Sequence, residues 1–164
     1  MRQKSGGFTI IELLVVIMIG SILTGVALSS FNNAQSRFAV RSAKQVYATW
    51  HQRARSRAIE SGETIIMVVW VTGDSAATVT RDGGTLVFDD VQRFDDELGV
   101  SLRNQGNVDF YMCMTPRGYA DQNCGSWGAT GGLTATFSDT VRLQFWQNAD
   151  SASVLLLPMG QVIG

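Results

Sequence analysis

The chain has 164 residues, with thirteen lysines and arginines against fourteen acids, enough for one domain and a tail. Two prolines and seventeen glycines exclude a collagen-like or low-complexity chain, and no self-similarity at a solenoid period is visible. The near-neutral total hides an uneven layout: thirteen of the fourteen acids but only five of the thirteen bases lie from Glu60 onward.

The chain opens on a short basic leader, residues 1–7, containing Arg2 and Lys4 and ending in Gly6-Gly7. An apolar run follows from Phe8 to Phe31 and carries one charge, Glu12. As an α-helix, 24 residues rise about 36 Å, enough to cross a bilayer. A carboxylate inside such a run is costly and calls for a partner. Thr9-Ile10-Ile11-Glu12 also fits a capping box, in which threonine and glutamate satisfy the first free amides of a helix. Two other readings stay open. Ala27-Leu28-Ser29 has the small-x-small form of a secretory cleavage site, although the apolar run is longer than the usual h-region of about 7–15 residues. The span alone is also compatible with a permanent anchor.

The helical pattern continues through residues 32–61, with no proline and no glycine before Gly62. Phe31, Ala34, Phe38, Val46, Trp50, Ala54 and Ala58 recur at helical spacings and predict one amphipathic face, with Phe38, Val46, Trp50 and Ala54 offered to a sheet. Gly62 is the expected stop, giving one helix of about 50 residues. Gly20 and Gly25 are the weak points of its first half, each lowering helix propensity by about 1 kcal/mol. Six bases and no acid lie between Asn32 and Ile59 (Arg37, Arg41, Lys44, Arg53, Arg55 and Arg57). They could meet nucleic acid. The better reading is neutralisation by the acidic remainder within or between subunits, because the bases fall around a helix and aromatics are sparse among them.

Beyond Gly62 the pattern turns to strands. Residues 64–72 are β-branched-rich and apolar on both faces, which predicts a central strand covered on both sides. Residues 77–81 and 85–88 flank Asp82-Gly83-Gly84 as a hairpin. Residues 107–112 are a further candidate strand. Residues 134–138 and 141–147 flank Asp139-Thr140, read as a second tight turn; residues 153–157 and 161–163 flank Pro158-Met159-Gly160 as a closing turn. The expected fold class is α+β: a long N-terminal helix packed against an antiparallel β-rich head over residues 62–164.

No Walker loop, Gly-x-Ser-x-Gly, HExxH or dinucleotide fingerprint occurs, so an enzyme is not expected, nor is a cofactor or metal. His51 reads as a surface or core-edge histidine. Asp89-Asp90 and Asp95-Asp96-Glu97 lack the ligand spacing of a calcium loop and read as solvated loop charge. The head's five arginines (Arg81, Arg93, Arg103, Arg117 and Arg142) predict weak nucleic-acid binding or none.

Leader, Gly7, Phe8, apolar helix and Glu12 at fixed spacing resemble the type IV prepilin signature, a family that includes the pseudopilins of type II secretion. The resemblance covers about the first 31 residues. It implies cutting between Gly7 and Phe8 by an inner-membrane prepilin peptidase, methylation of the new Phe8 amine, and a pilin-like fold. It further implies a single-pass precursor with a periplasmic head, delivered by an inner-membrane assembly platform into a filament of pilin or pseudopilin subunits. Glu12 would pair there with the Phe8 amine of a neighbouring subunit. Met114-Thr115-Pro116-Arg117-Gly118 and Val154 to Val162 resemble two pieces of the H-type pseudopilins and FimT-like minor pilins; in each, the glycine has a structural reason, a turn needing positive φ. That resemblance leaves pilus and secretion roles undivided. A head outside the inner membrane meets oxidising conditions, which predicts a Cys113–Cys124 bridge worth roughly 3 kcal/mol on the chain-entropy model. Two buried free thiols are the alternative.

Overall fold

The computed structural model describes residues 8–82, 85–121, 135–136 and 140–164. The chain divides into two compact units, with the boundary between Gln35 and Ser36.

Helix α1 runs Ile10–Ser61 and crosses that boundary. It starts where the sequence supplies a cap: the Thr9 hydroxyl accepts the Glu12 N–H at 3.3 Å and the Thr9 carbonyl accepts the Leu13 N–H at 3.2 Å. It ends where Gly62 takes φ +68°, a left-handed conformation that glycine adopts without a side-chain penalty.

In the second unit two antiparallel-based sheets form. The first has the order β3-β2-β1-β5-β6, from β1 (Ile65–Trp70), β2 (Ser75–Asp82), β3 (Thr85–Arg93), β5 (Phe110–Met114) and β6 (Ala120–Asp121). A short β7 (Ala135–Thr136) pairs with β5 in parallel. The second sheet has the order β10-β9-β8-β4, from β4 (Ser101–Arg103), β8 (Val141–Gln147), β9 (Asp150–Leu156) and β10 (Val162–Ile163). A five-residue helix, α2 (Phe94–Leu98), links β3 to β4 and is closed by Gly99 at φ +62°.

Alternation on β1 explains its unbroken apolar sequence. Ile65, Met67 and Val69 enter the main core, while Ile66 and Val68 join Val79, Tyr111 and Cys113 in a second cluster on the opposite face. β1 lies between β2 and β5, with both faces buried, as the sequence pattern predicts. The main core joins one stripe of α1 (Val40, Ala43, Tyr47, Trp50, Ala54 and Ala58) to both sheets. Tyr47 packs its ring 5.8 Å from Phe145 of β8, and Phe145 sits 5.7 Å from Phe94 of α2.

Several expectations need correction. On the predicted helix face Trp50, Ala54 and Ala58 are buried as expected, but Phe38 is 68% exposed, Phe31 is exposed, and Val46 is only partly buried. The small residues Ser36, Ala43, Ala54 and Ala58 mark the close approach instead. The turn expected at Asp139-Thr140 falls in part outside the described residues, and the described pairings do not join its two flanks. β7 pairs with β5 and β8 pairs with β4 and β9, in different sheets. The tight turn is between β8 and β9, where Asn148 takes φ +53°. The strand expected over 107–112 begins at Phe110, because Asn104 side-chain bonds to both backbone groups of Val108 hold the preceding residues in a turn. The pairings of β2 with β3 and of β9 with β10 form as expected, and Gly83 and Gly84 of the first turn lie outside the described residues.

Candidate functional site: the N-terminal segment and its apolar helix

The Thr9 cap decides what the N-terminal segment looks like. Phe8 and Thr9 lie outside the helix, and the Phe8 side chain is 79% exposed. Gly7 lies outside the described residues. Glu12 stands in the first turn of α1, where its charge complements the helix dipole. It is exposed, and no described hydrogen bond or ion pair engages its carboxylate.

Behind it, every large apolar side chain from Ile10 to Phe31 is exposed. The helix is long and apolar enough to cross a membrane by length and composition. Sequence reading passes over Ser21 and Thr24, which bear on that property. The Ser21 hydroxyl donates to the Met18 carbonyl and the Thr24 hydroxyl to the Gly20 carbonyl, each at 2.8 Å. Both polar groups are thereby satisfied within the helix itself, as an apolar surrounding demands. Hydroxyl residues placed three or four beyond a carbonyl in an apolar run are the signal that would have found them.

An exposed apolar helix, opened by the Thr9 cap with a glutamate in its first turn, has the layout of a membrane anchor. Residues 2–28 match the prokaryotic N-terminal methylation motif. That motif is the one found in the type IV pilin and pseudopilin class, and here it leads into an N-terminal helix of membrane-anchor length. The match covers about one sixth of the sequence. Comparisons with curated proteins and with solved structures give no match.

The head contains no comparable constellation among its described residues, and no group of three or more metal-ligating side chains occurs there. Its two signature loops nevertheless meet. After β5, Gly118 takes φ +78° and its N–H donates to Thr115 at 2.8 Å; before β10, Gly160 takes φ +76°. The Ala120 N–H donates to the Met159 carbonyl at 3.1 Å, so one loop is tied to the other. A Cβ on Gly160 would lie 2.7 Å from the Ala120 Cβ, and one on Gly118 would lie 2.9 Å from Ile59 of α1. Both glycines serve the junction of the two sheets and the helix. Cys113 is fully buried in the second core cluster, and Cys124 lies outside the described residues.

His51 is a correction: it is 0% exposed, in the core rather than at its edge. Burial, and secondarily the Arg55 charge, push its pKa down to about 4. Neither ring nitrogen has a hydrogen-bond partner, and the Tyr47 hydroxyl beside it has none either. Desolvation raises the Tyr47 pKa, so both groups stay neutral. Asp89 and Asp90 are likewise not loop charges. They sit in β3, where Asp89 pairs with Arg57 and Asp90 with Arg53 at 3.4 Å. The hydrogen bond from Arg57, then that from the Asp90 N–H, lowers the Asp89 pKa. Asp95, Asp96 and Glu97 are exposed on α2.

Proposed function

We propose that this chain is a minor pilin or pseudopilin, of the H-type pseudopilin and FimT-like kind, in a type IV pilus or a type II secretion filament. Residues 1–7 are the cleaved leader, 8–31 the membrane and filament-core helix, 32–61 its continuation into the head, and 62–164 the periplasmic head. The peptidase cuts between Gly7 and Phe8, the Phe8 amine is methylated, and Glu12 receives the Phe8 amine of an adjacent subunit. The observation that carries this is the methylation motif lying on an uncovered apolar helix whose one carboxylate has no described partner. A bare carboxylate in apolar surroundings is costly, and a cationic amine is the partner that offsets it.

The subtype rests on the two glycine loops and is supported by their meeting at one junction. The Cys113–Cys124 bridge belongs to the same proposal; buried Cys113 and the absence of a free cysteine among the described residues support it.

The test is mass spectrometry of the exported chain together with a Glu12→Leu variant. The mature chain is expected to begin at Phe8 and to carry one N-methyl group. Glu12→Leu is expected to insert into the membrane normally and to enter filaments at a small fraction of the wild-type level. A different first residue refutes the processing; wild-type incorporation of Glu12→Leu refutes the pairing.

One observation favours a second reading, nucleic-acid binding by the head. Arg103 stacks over the Trp146 ring at 4.7 Å, and Arg142 is exposed two positions before Gln144 on the same face of β8. Stacked arginine and tryptophan suit unpaired bases. A gel shift of the solubilised chain at low salt should show weak retention or none; strong retention would reverse the ranking.

A further inference from the structure

On β8 apolar and polar residues alternate. Leu143 and Phe145 enter the main core, which sets Arg142, Gln144 and Trp146 on the outer face of the second sheet. Arg142 stands opposite Leu155 of β9, and Gln144 stands between Ser153 of β9 and Arg103 of β4. Here the sheet face and the chain flanking β4 and β8 form a depression of about 540 Å³, lined by Asn104, Gln105, Thr140, Arg142, Gln144 and Leu155. That volume is within the usual range of roughly 300–1,000 Å³ for small-ligand sites. Part of the rim is tied down: the Asn104 side chain accepts the Val108 N–H at 2.9 Å and donates to the Val108 carbonyl at 2.7 Å. Among the described residues the lining holds one cation, Arg142, and no carboxylate, and no described ion pair engages Arg142.

The chemistry of that lining selects among ligands. A single exposed guanidinium suits one carboxylate, gripped through two parallel N–H bonds. The side-chain amides of Gln105 and Gln144 each offer donors and an acceptor, as hydroxyl groups require. Leu155, half-buried in the lining, gives an apolar contact for ring C–H groups. A peptide added as a strand needs a free sheet edge, but β8 lies between β4 and β9, and β9 between β8 and β10. A nucleic-acid backbone needs cations in series along its phosphates, and unpaired bases need an open aromatic face. The described lining supplies one cation and no aromatic ring; Trp146 is not part of it and carries the Arg103 guanidinium 4.7 Å above its ring.

We infer that this depression binds a carboxylate-bearing sugar, a hexuronate, free or within an acidic polysaccharide. Arg142 takes the carboxylate, Gln105 and Gln144 take ring hydroxyls, and Leu155 packs against the apolar side of the pyranose. All six lining residues belong to the second unit. The site therefore stands apart from the use of the N-terminal helix and from the kind of filament the chain enters.

The test is calorimetric titration of the full chain, held in a polyoxyethylene detergent that carries neither sugar nor charge, with galacturonate and with trigalacturonate. Saturable binding of trigalacturonate is expected. Arg142→Gln should weaken it about ten-fold or more, and Gln144→Ala should weaken it several-fold. The control Arg117→Gln, which removes the same charge from the exposed loop after β5, should leave it unchanged. Equal affinity for monomer and trimer places recognition in one ring, and tighter binding of the trimer extends it to a polymer; both support the site. Absence of saturable binding, or wild-type affinity in both Arg142→Gln and Gln144→Ala, overturns it. Equal binding of neutral maltotriose overturns it by removing the need for the carboxylate, and equal binding of triglutamate by removing the need for the sugar. A single-stranded oligonucleotide that displaces trigalacturonate at lower concentration than the sugar itself binds would return this face to the nucleic-acid reading, again overturning it.

Discussion

From Ile10 to Phe31 every large apolar side chain of α1 is exposed, whereas from Val40 to Ala58 one stripe of the same helix is buried almost completely. Gly20 and Gly25 weaken only the first stretch, yet both stretches are helical, so helix formation is not what separates them. The difference is who supplies the cover. The second stretch is met by Leu143, Phe145, Val154 and Leu156 of one sheet and by Ile65, Met67 and Met112 of the other. The first has no apolar partner within its own unit. Apolar surface on that scale is unstable in water at about 25 cal/mol for each Å², so it calls for cover that its own unit does not supply. One part of the molecule is covered by its own folding; the other presents its apolar side chains uncovered.

The contrast breaks most sharply at the aromatic residues. Trp50 is 0% exposed and its indole N–H donates to the Asp90 carbonyl at 3.0 Å. Trp50→Ala should cost the head about 4 kcal/mol, read as a lower urea midpoint in detergent solution. Phe38→Ala, on an exposed part of the same helix, should change that midpoint by less than about 0.5 kcal/mol. Equal losses would mean that the helix face has been misassigned.

Glycines sharpen it next. Gly160→Ala places a Cβ 2.9 Å from the Ala120 backbone nitrogen at a positive φ, and should cost about 3 kcal/mol in the same assay. A Cβ at Gly20 meets nothing within 4 Å. Gly20→Ala should therefore leave the head's midpoint unchanged while strengthening the helix by about 1 kcal/mol. If Gly20→Ala nonetheless blocks incorporation into filaments, a neighbouring helix must approach closely at that position.

His51 supplies the smallest effect at neutral pH and a larger one in acid. Its ordinary pKa of 6.5 falls to about 4 in the fold, so the unfolded chain takes up a proton first as pH drops. The stability associated with neutral His51 is complete above about pH 6.5 and is lost progressively down to about pH 4, by roughly 3 kcal/mol in all. His51→Leu should remove that part of the acid sensitivity and leave the carboxylate contribution. Urea midpoints at pH 7 and pH 4.5 for the two proteins give the comparison, and parallel losses would contradict the buried, neutral imidazole.

Much of this was legible in the sequence where the signal is local. The Thr9 cap, the Gly62 stop, the two-faced apolar strand and the turns at Gly118 and Gly160 each depend on a few adjacent residues, and each is where its chemistry requires. Illegible features depended on distant partners. Phe38 outranks Ala43 as an apolar residue, yet close packing against a sheet selects the small side chain, and only the sheet decides the phase of the stripe. Asp139-Thr140 has the composition of a turn, but β8 finds its partners in β4 and β9. His51 looks polar beside its arginines; its position one turn after Tyr47 puts it inside. In the N-terminal segment, the spacing of Phe8 and Glu12 is visible from residues alone. The complete exposure of the rod and the internal bonding of Ser21 and Thr24 needed coordinates.

The threonine at the head of α1 has one more effect. By taking up the Glu12 amide it fixes where winding begins, and the two residues ahead of Ile10 stay unwound. The hydroxyl of Thr9 thus acts as a boundary post, marking where irregular chain gives way to the apolar coil.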